Sequence, residues 1–153
     1  MKFSRKIAPD TKPKQNFIIK KRLREDEIDF DKLRSYRLDR VKKELEKNNL
    51  EACILFDPVN VRYALDTLNM SVYNMHNLTR YCFVPVNGPV ILYEYFNCEK
   101  LSEGLNLIDE IRPAITWDYF SNGDQSEAQL KKWINEVKDL STSYFKSKKI
   151  AID

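Results

Sequence analysis

Apolar side chains recur along this chain at two spacings, and the spacings mark out the elements. Leu38, Val41 and Leu45 fall every three or four residues, with Leu33 and Tyr36 near the same side, the repeat of one face of a helix. The pattern predicts a helix over 31–48, with Asp31 as its N-cap. Asn48-Asn49 forms the stop, since Asn tolerates the left-handed backbone there. The stretch EACILF (51–56) follows as a short apolar run and predicts a buried strand. DPVNVRYAL then restarts a helix, capped by Asp57, with Pro58 where its missing N–H costs nothing. RYCFVPV (80–86) and PVILYEY (89–95) are rich in β-branched and aromatic residues. Asn87-Gly88 between them is a hairpin signal. Pro85 and Pro89 remove backbone donors and must sit where no ladder bond is needed.

Further on, CEKLSEGL predicts a short helix ending near Gly104, and EIRPAITW (110–117) an edge strand interrupted by Pro113. Asp124 and Glu127 have the spacing of a capping box and predict the start of the last helix. Its stripe is Leu130, Trp133, Ile134, Val137, Leu140 and Tyr144. KKIAID (148–153) predicts a final, inner strand. Helices and strands in this order predict an α/β fold, a mixed β-sheet with helices on both faces. A chain stopping on an inner strand is expected to be a truncated domain. Residues 1–28 fit none of these patterns, because Pro9 and Pro13 break helix and lysines crowd the stretch.

Composition sharpens this picture at a few points. The 153 residues suit one domain. The net charge of +3 hides an asymmetry, since residues 1–49 hold 16 Lys and Arg against 9 Asp and Glu. The expected organisation is a basic arm over 1–28 followed by a globular unit over 29–153. Such an arm can meet an acidic partner or simply stay solvated. Nucleic acid is not the expected partner, because the arm alone points to it. With three glycines no Gly-rich phosphate loop can form. Cys53, Cys82 and Cys98 are widely spaced, and one histidine cannot complete a Cys/His zinc site. Cysteines of this kind fit a reducing, cytoplasmic setting. No signal-peptide pattern and no apolar run long enough to cross a bilayer is present, so no membrane partner is expected.

The segment NMSVYNMHNLTRY (69–81) has neither period. It carries the lone histidine, His76, together with Tyr73, Arg80 and Tyr81. Arg80 offers a planar fork of donors that suits a carboxylate. Tyr73 and Tyr81 offer electron-rich faces for a cation. His76 can hydrogen-bond to either kind of group. These four are the candidate binding residues, for a small zwitterion or a peptide end. The other reading is local: Arg80 pairs with a nearby Asp or Glu, and His76 anchors its own segment. No catalytic residue is expected, since no nucleophile stands with a second base and no metal set exists.

RLDRVKKELEKNNLEACILFDPVNVRYAL resembles the opening of the N-terminal domain of the creatinase, prolidase and Xaa-Pro aminopeptidase family. Arg37, Leu38 and Arg40 match its Arg-Leu-x-Arg helix start. Asp57, Pro58, Asn60, Val61 and Tyr63 match its D-P-x-N-[IV]-x-Y segment. KKIAID resembles the strand that opens the last third of that domain, so the likeness covers about 34–153. Asn69-Met70, Met75-His76-Asn77, Arg80-Tyr81, the Gly88-Pro89 hairpin and DEIRPA (109–114) resemble the branch that includes a dimethylsulfoniopropionate lyase.

The resemblance implies a ribonuclease H-like mixed sheet, incomplete here at its C-terminal end. It also implies an absent catalytic "pita-bread" domain that binds divalent metal ions through two Asp, one His and two Glu, so no cofactor is expected among these residues. It implies a homodimer in which this domain covers the partner subunit's active site, with Arg80 at or next to the position of a substrate carboxylate clamp. The implied substrate is a small zwitterion or an Xaa-Pro peptide. The alternative is a non-enzymatic protein-binding module of the histone-chaperone type, which shares the domain.

Overall fold

The computed structural model describes residues 28–68, 78–146 and 149–153. The basic arm expected over 1–28 lies almost wholly outside them.

Helix α1 spans Phe30–Lys47 and β1 spans Ala52–Leu55. The cap of α1 is Asp29 rather than the expected Asp31. Asp29 is extended, and its carboxylate accepts from Lys32 N at 2.9 Å. Asp31 falls inside the first turn and pairs with Arg34 at 3.1 Å. Asn48 ends the helix and Asn49 takes the left-handed conformation at φ 55°. Helix α2 spans Pro58–Leu65 with Pro58 in its first turn, and Asp57 accepts from Val59 N and Asn60 N. Two orphan donors of the helix start are thereby satisfied.

Strands β2 (Tyr81–Pro85) and β3 (Ile91–Glu94) pair antiparallel with Tyr81 opposite Tyr93 and Phe83 opposite Ile91. The connection is wider than a two-residue hairpin. Val90 N donates to Asp109 Oδ2 at 2.7 Å, and Val90 O accepts from Asp109 N, so Val90 faces the next strand instead of β2. A short 3-10 turn covers Glu99–Ser102, and the edge strand β4 (Glu110–Pro113) runs parallel to β3.

Next comes a four-residue helix, α3 (Tyr119–Asn122), capped by Asp118. A 3-10 turn over Gly123–Gln125 leads into α4 (Ser126–Tyr144). The expected capping box is not formed. Asp124 lies within the 3-10 turn, and Gln125 is already helical and makes no side-chain cap bond. Glu127 instead reaches forward to Lys131 at 2.9 Å. Strand β5 (Ile150–Ile152) runs parallel to β1.

The described sheet has the order β4-β3-β2-β1-β5, with β5 at an edge rather than inside. Alternation along the three central strands sends each side chain to one of two layers. Cys53, Cys82, Val84 and Leu92 face α1 and α2, where Leu38, Leu45, Val61, Ala64 and Leu65 close the layer. Ala52, Ile54, Tyr81, Phe83, Ile91 and Tyr93 face the other way, onto Leu140, Val137 and Trp133 of α4 and Phe145 beyond it. The mixed sheet with helices on both faces is therefore the observed architecture. Of the α4 stripe, Ile134 and Tyr144 stay exposed.

The motif residues of the N-terminal half are structural. Asp57 and Pro58 start α2, while Asn60 Nδ2 donates to Asp153 at 2.9 Å. The Arg37 guanidinium lies over the Tyr63 ring at 5.8 Å and beside Asp66.

Candidate functional site

The register of the β2–β3 hairpin continues one residue past its last pair and sets Arg80 opposite Glu94. Leu92 faces the α1/α2 layer, so Glu94, two residues on, faces it as well. Both charges are buried, with Arg80 7% and Glu94 1% exposed. Arg80 Nε donates to the two Glu94 oxygens at 2.9 and 2.8 Å. Arg80 Nη2 donates to Thr67 Oγ1 at 2.5 Å, and Thr67 Oγ1 shares a very short hydrogen bond with Ser102 Oγ. Glu94 Oε1 also accepts from Tyr95 N at 3.0 Å. Four segments meet in this knot: the exit of α2, the entry of β2, the exit of β3 and the 3-10 turn before β4.

A charge moved out of water is tolerated only when paired and hydrogen-bonded. Glu94 meets that condition on both oxygens. Arg80 meets it on two of its three nitrogens. Nη1 is buried and makes no hydrogen bond among the described residues. A guanidinium nitrogen carrying two protons in that state is the outstanding polar demand of the site. Leu68, Tyr95, Phe96 and Leu101 adjoin Thr67, Glu94 and Ser102 in sequence and are exposed, Phe96 by 70%. The polar knot is thus flanked by large apolar side chains facing solvent.

The structure separates the four candidate residues. Arg80 takes a local carboxylate partner, the second of the two readings its sequence context allowed. Tyr81 is 1% exposed and lies in the opposite layer. Its ring stacks on Tyr93 at 4.5 Å and lies 4.9 Å from Phe56. Its hydroxyl accepts from Ile115 N at 3.2 Å, and burial pushes its pKa up. Its face is occupied by neighbouring rings, so the cation-holding role sketched for Tyr81 has no open surface to act through. Tyr73 and His76 lie outside the described residues. Arg80 and Tyr81 are adjacent in sequence and point to opposite layers, as neighbours on an extended segment do.

Glu94, Thr67 and Ser102 were missed in the sequence. Glu94 carried a signal, a carboxylate at the inward register of a run otherwise apolar on that side. Thr67 and Ser102 carried none, because Thr67 follows the end of α2 and Ser102 closes a 3-10 turn too short to show a period. Elsewhere, burial pushes the Cys53 thiol up to about 12 and also holds Cys82 well above the ordinary thiol value. Both thiols are small core residues on adjacent strands rather than nucleophiles. Among the described residues no group of His, Cys, Asp and Glu side chains is placed to hold a metal ion. No described helix is long and apolar enough to cross a membrane.

The chain is 31% identical over 112 residues to the dimethylsulfoniopropionate lyase DddP of Roseovarius nubinhibens, and equally to that of Roseobacter denitrificans. Over that stretch the chain is similar in sequence to dimethylsulfoniopropionate lyases. The aligned region is 73% of this chain and 25% of each lyase, so the chain spans about a quarter of the length of these relatives. No protein-family model matches. Among solved structures, the creatinase/prolidase N-terminal domain of an X-Pro dipeptidase from Streptococcus pyogenes overlaps 77% of this chain, at 14% identity and a TM-score of 0.45. A creatinase N-terminal superfamily domain of a dipeptidase from Streptococcus thermophilus overlaps 76%, at 16% identity and a TM-score of 0.43.

Proposed function

We propose that this creatinase/prolidase-type domain is the non-catalytic cap of a dimeric, metal-dependent enzyme. In this reading it helps two subunits associate and covers the active site of the partner subunit. The chemistry belongs to a further domain that binds divalent metal ions. The substrate is a small zwitterion of the dimethylsulfoniopropionate kind, with an Xaa-Pro peptide as the competing class. The likeness to two dimethylsulfoniopropionate lyases supports the first class.

One observation carries the reading at the level of residues: Arg80 keeps a buried nitrogen, Nη1, with no acceptor among the described residues. An oxygen arriving from outside the domain, on substrate or on the partner subunit, completes it. The exposed apolar flank of Leu68, Tyr95, Phe96 and Leu101 suits a covered surface better than a permanently solvated one. Tyr73 and His76 are assigned to the same proposed site on their sequence context alone.

The test uses the protein with its metal-binding domain in place. Release of dimethyl sulfide from dimethylsulfoniopropionate, with no cleavage of an Xaa-Pro dipeptide, is the expected result. Arg80→Ala is expected to raise KM by more than tenfold, since a desolvated charged contact contributes about 2–5 kcal/mol. Peptide cleavage alone would move the substrate to the second class. Inertness toward both, together with tight binding of another protein, would turn the reading into that of a binding module.

A further inference from the structure

We infer that Glu94, Thr67 and Ser102 are positioning residues whose joint task is to orient the Arg80 guanidinium. The inference rests on the reading of Arg80 given above and adds the machinery behind it. An arginine on an open segment samples many rotamers, and holding it in one geometry costs side-chain entropy. Here the orientation is fixed in advance. Glu94 meets Nε through both of its oxygens, at 2.9 and 2.8 Å, which leaves that edge of the fork occupied. Thr67 accepts from Nη2 at 2.5 Å and sets the rotation of the guanidinium plane. Ser102 shares a hydrogen bond with that same Thr67 hydroxyl and so holds the acceptor in place. Two contacts on different nitrogens define a plane, and the buried Nη1, together with the second proton of Nη2, is left to meet a further acceptor.

The arrangement has a second consequence. The Glu94 carboxylate already balances the Arg80 charge inside the knot. An incoming acceptor is therefore selected by where its oxygen sits more than by long-range attraction, and it is met end-on at Nη1. Rotating the guanidinium even slightly withdraws that donor. Loss of the Thr67 hydroxyl thus weakens capture of the acceptor without touching the acceptor itself.

The experiment compares Thr67→Val, Thr67→Ser, Ser102→Ala and Arg80→Ala in the protein with its metal-binding domain present. It reads kcat and KM separately on the accepted substrate, alongside the melting temperature. Thr67→Val is expected to raise KM about tenfold with kcat near its starting value, the size of one lost hydrogen bond to a charged group. Thr67→Ser keeps the hydroxyl and is expected to restore KM. Ser102→Ala is expected to give a smaller rise in the same direction. A melting temperature lowered equally by Val and Ser, with KM following it, would mean a packing effect and overturn the inference. If Arg80→Ala raises KM while Thr67→Val does not, the positioning role fails and the reading of Arg80 survives. If Arg80→Ala leaves KM unchanged, the reading of Arg80 fails and takes the positioning role with it.

Discussion

Arg80 and Glu94 form the most consequential pair of single residues, because each is buried because of the other. Removing one partner strands a charge in the layer beneath α1 and α2. Glu94→Ala is expected to destabilise the fold by about 3–5 kcal/mol, whereas the double replacement Arg80→Met with Glu94→Leu is expected to cost far less. Urea unfolding of the three proteins, read as midpoint at constant slope, checks this. Much at this scale was legible in the sequence. The cap Asp57, the stop at Asn48 and the first-turn Pro58 all stand where their side-chain chemistry puts them. What misled was local competition. Asp29 and Asp31 can both cap α1, and the choice follows from where the backbone turns extended. The Arg80 pairing was visible only as an open alternative, since a residue at a strand entry has many carboxylates in reach until the register is known.

At the scale of elements, the β2–β3 connection shows how a strong local signal is bent by a neighbour. Asn87-Gly88 marks the turn correctly, yet Val90 is drawn to Asp109 and the loop opens. Gly88 takes φ 121°, and a Cβ there would meet Tyr144 Cδ1 at 3.0 Å. The backbone angle strains any side chain there, and the Tyr144 ring has to give way by a few tenths of an ångström to admit one. Gly88→Ala is expected to destabilise by about 1–3 kcal/mol, a shift that thermal melting resolves. Tyr144→Ala relieves the contact but not the angle, so adding it to Gly88→Ala is expected to recover only part of the loss. Helix α3 was not legible as such, since four residues hold no period. Its Asp118 cap accepts from Ser121 N at 2.7 Å and starts a turn that the Gly123 kink soon ends. That kink also explains why the apparent capping box at Asp124 and Glu127 is not used.

For the whole molecule, the order of helices and strands announced a sheet covered on both faces, and the described sheet has that architecture. The strand order was not legible, because parallel pairing of β5 with β1 joins residues about a hundred positions apart with no local trace. Titration is a property of both layers together. Cys53 is held at about 12 against an ordinary value of 9, and burial also raises Cys82, Tyr81 and Tyr93. The folded state therefore keeps these protons to higher pH than the unfolded chain does. Their contribution is fully present below pH 9 and fades as pH rises from about 9 toward 12. The urea midpoint is expected to fall steadily across that alkaline range. Replacing both cysteines with alanine is expected to flatten its lower part.

The two tryptophans of the chain sit on one side of the sheet, with Trp117 and Trp133 rings 4.4 Å apart and Phe56 edge-on to the first. Coupled indoles of this kind give intense near-ultraviolet dichroism, and their emission depends on staying in contact. The opposite side, where the Arg80 knot lies, has no indole. Spectroscopy on the native protein therefore watches one half of the molecule, and loosening beneath α1 and α2 passes unseen. A tryptophan placed at Tyr63 would give that silent half a signal of its own.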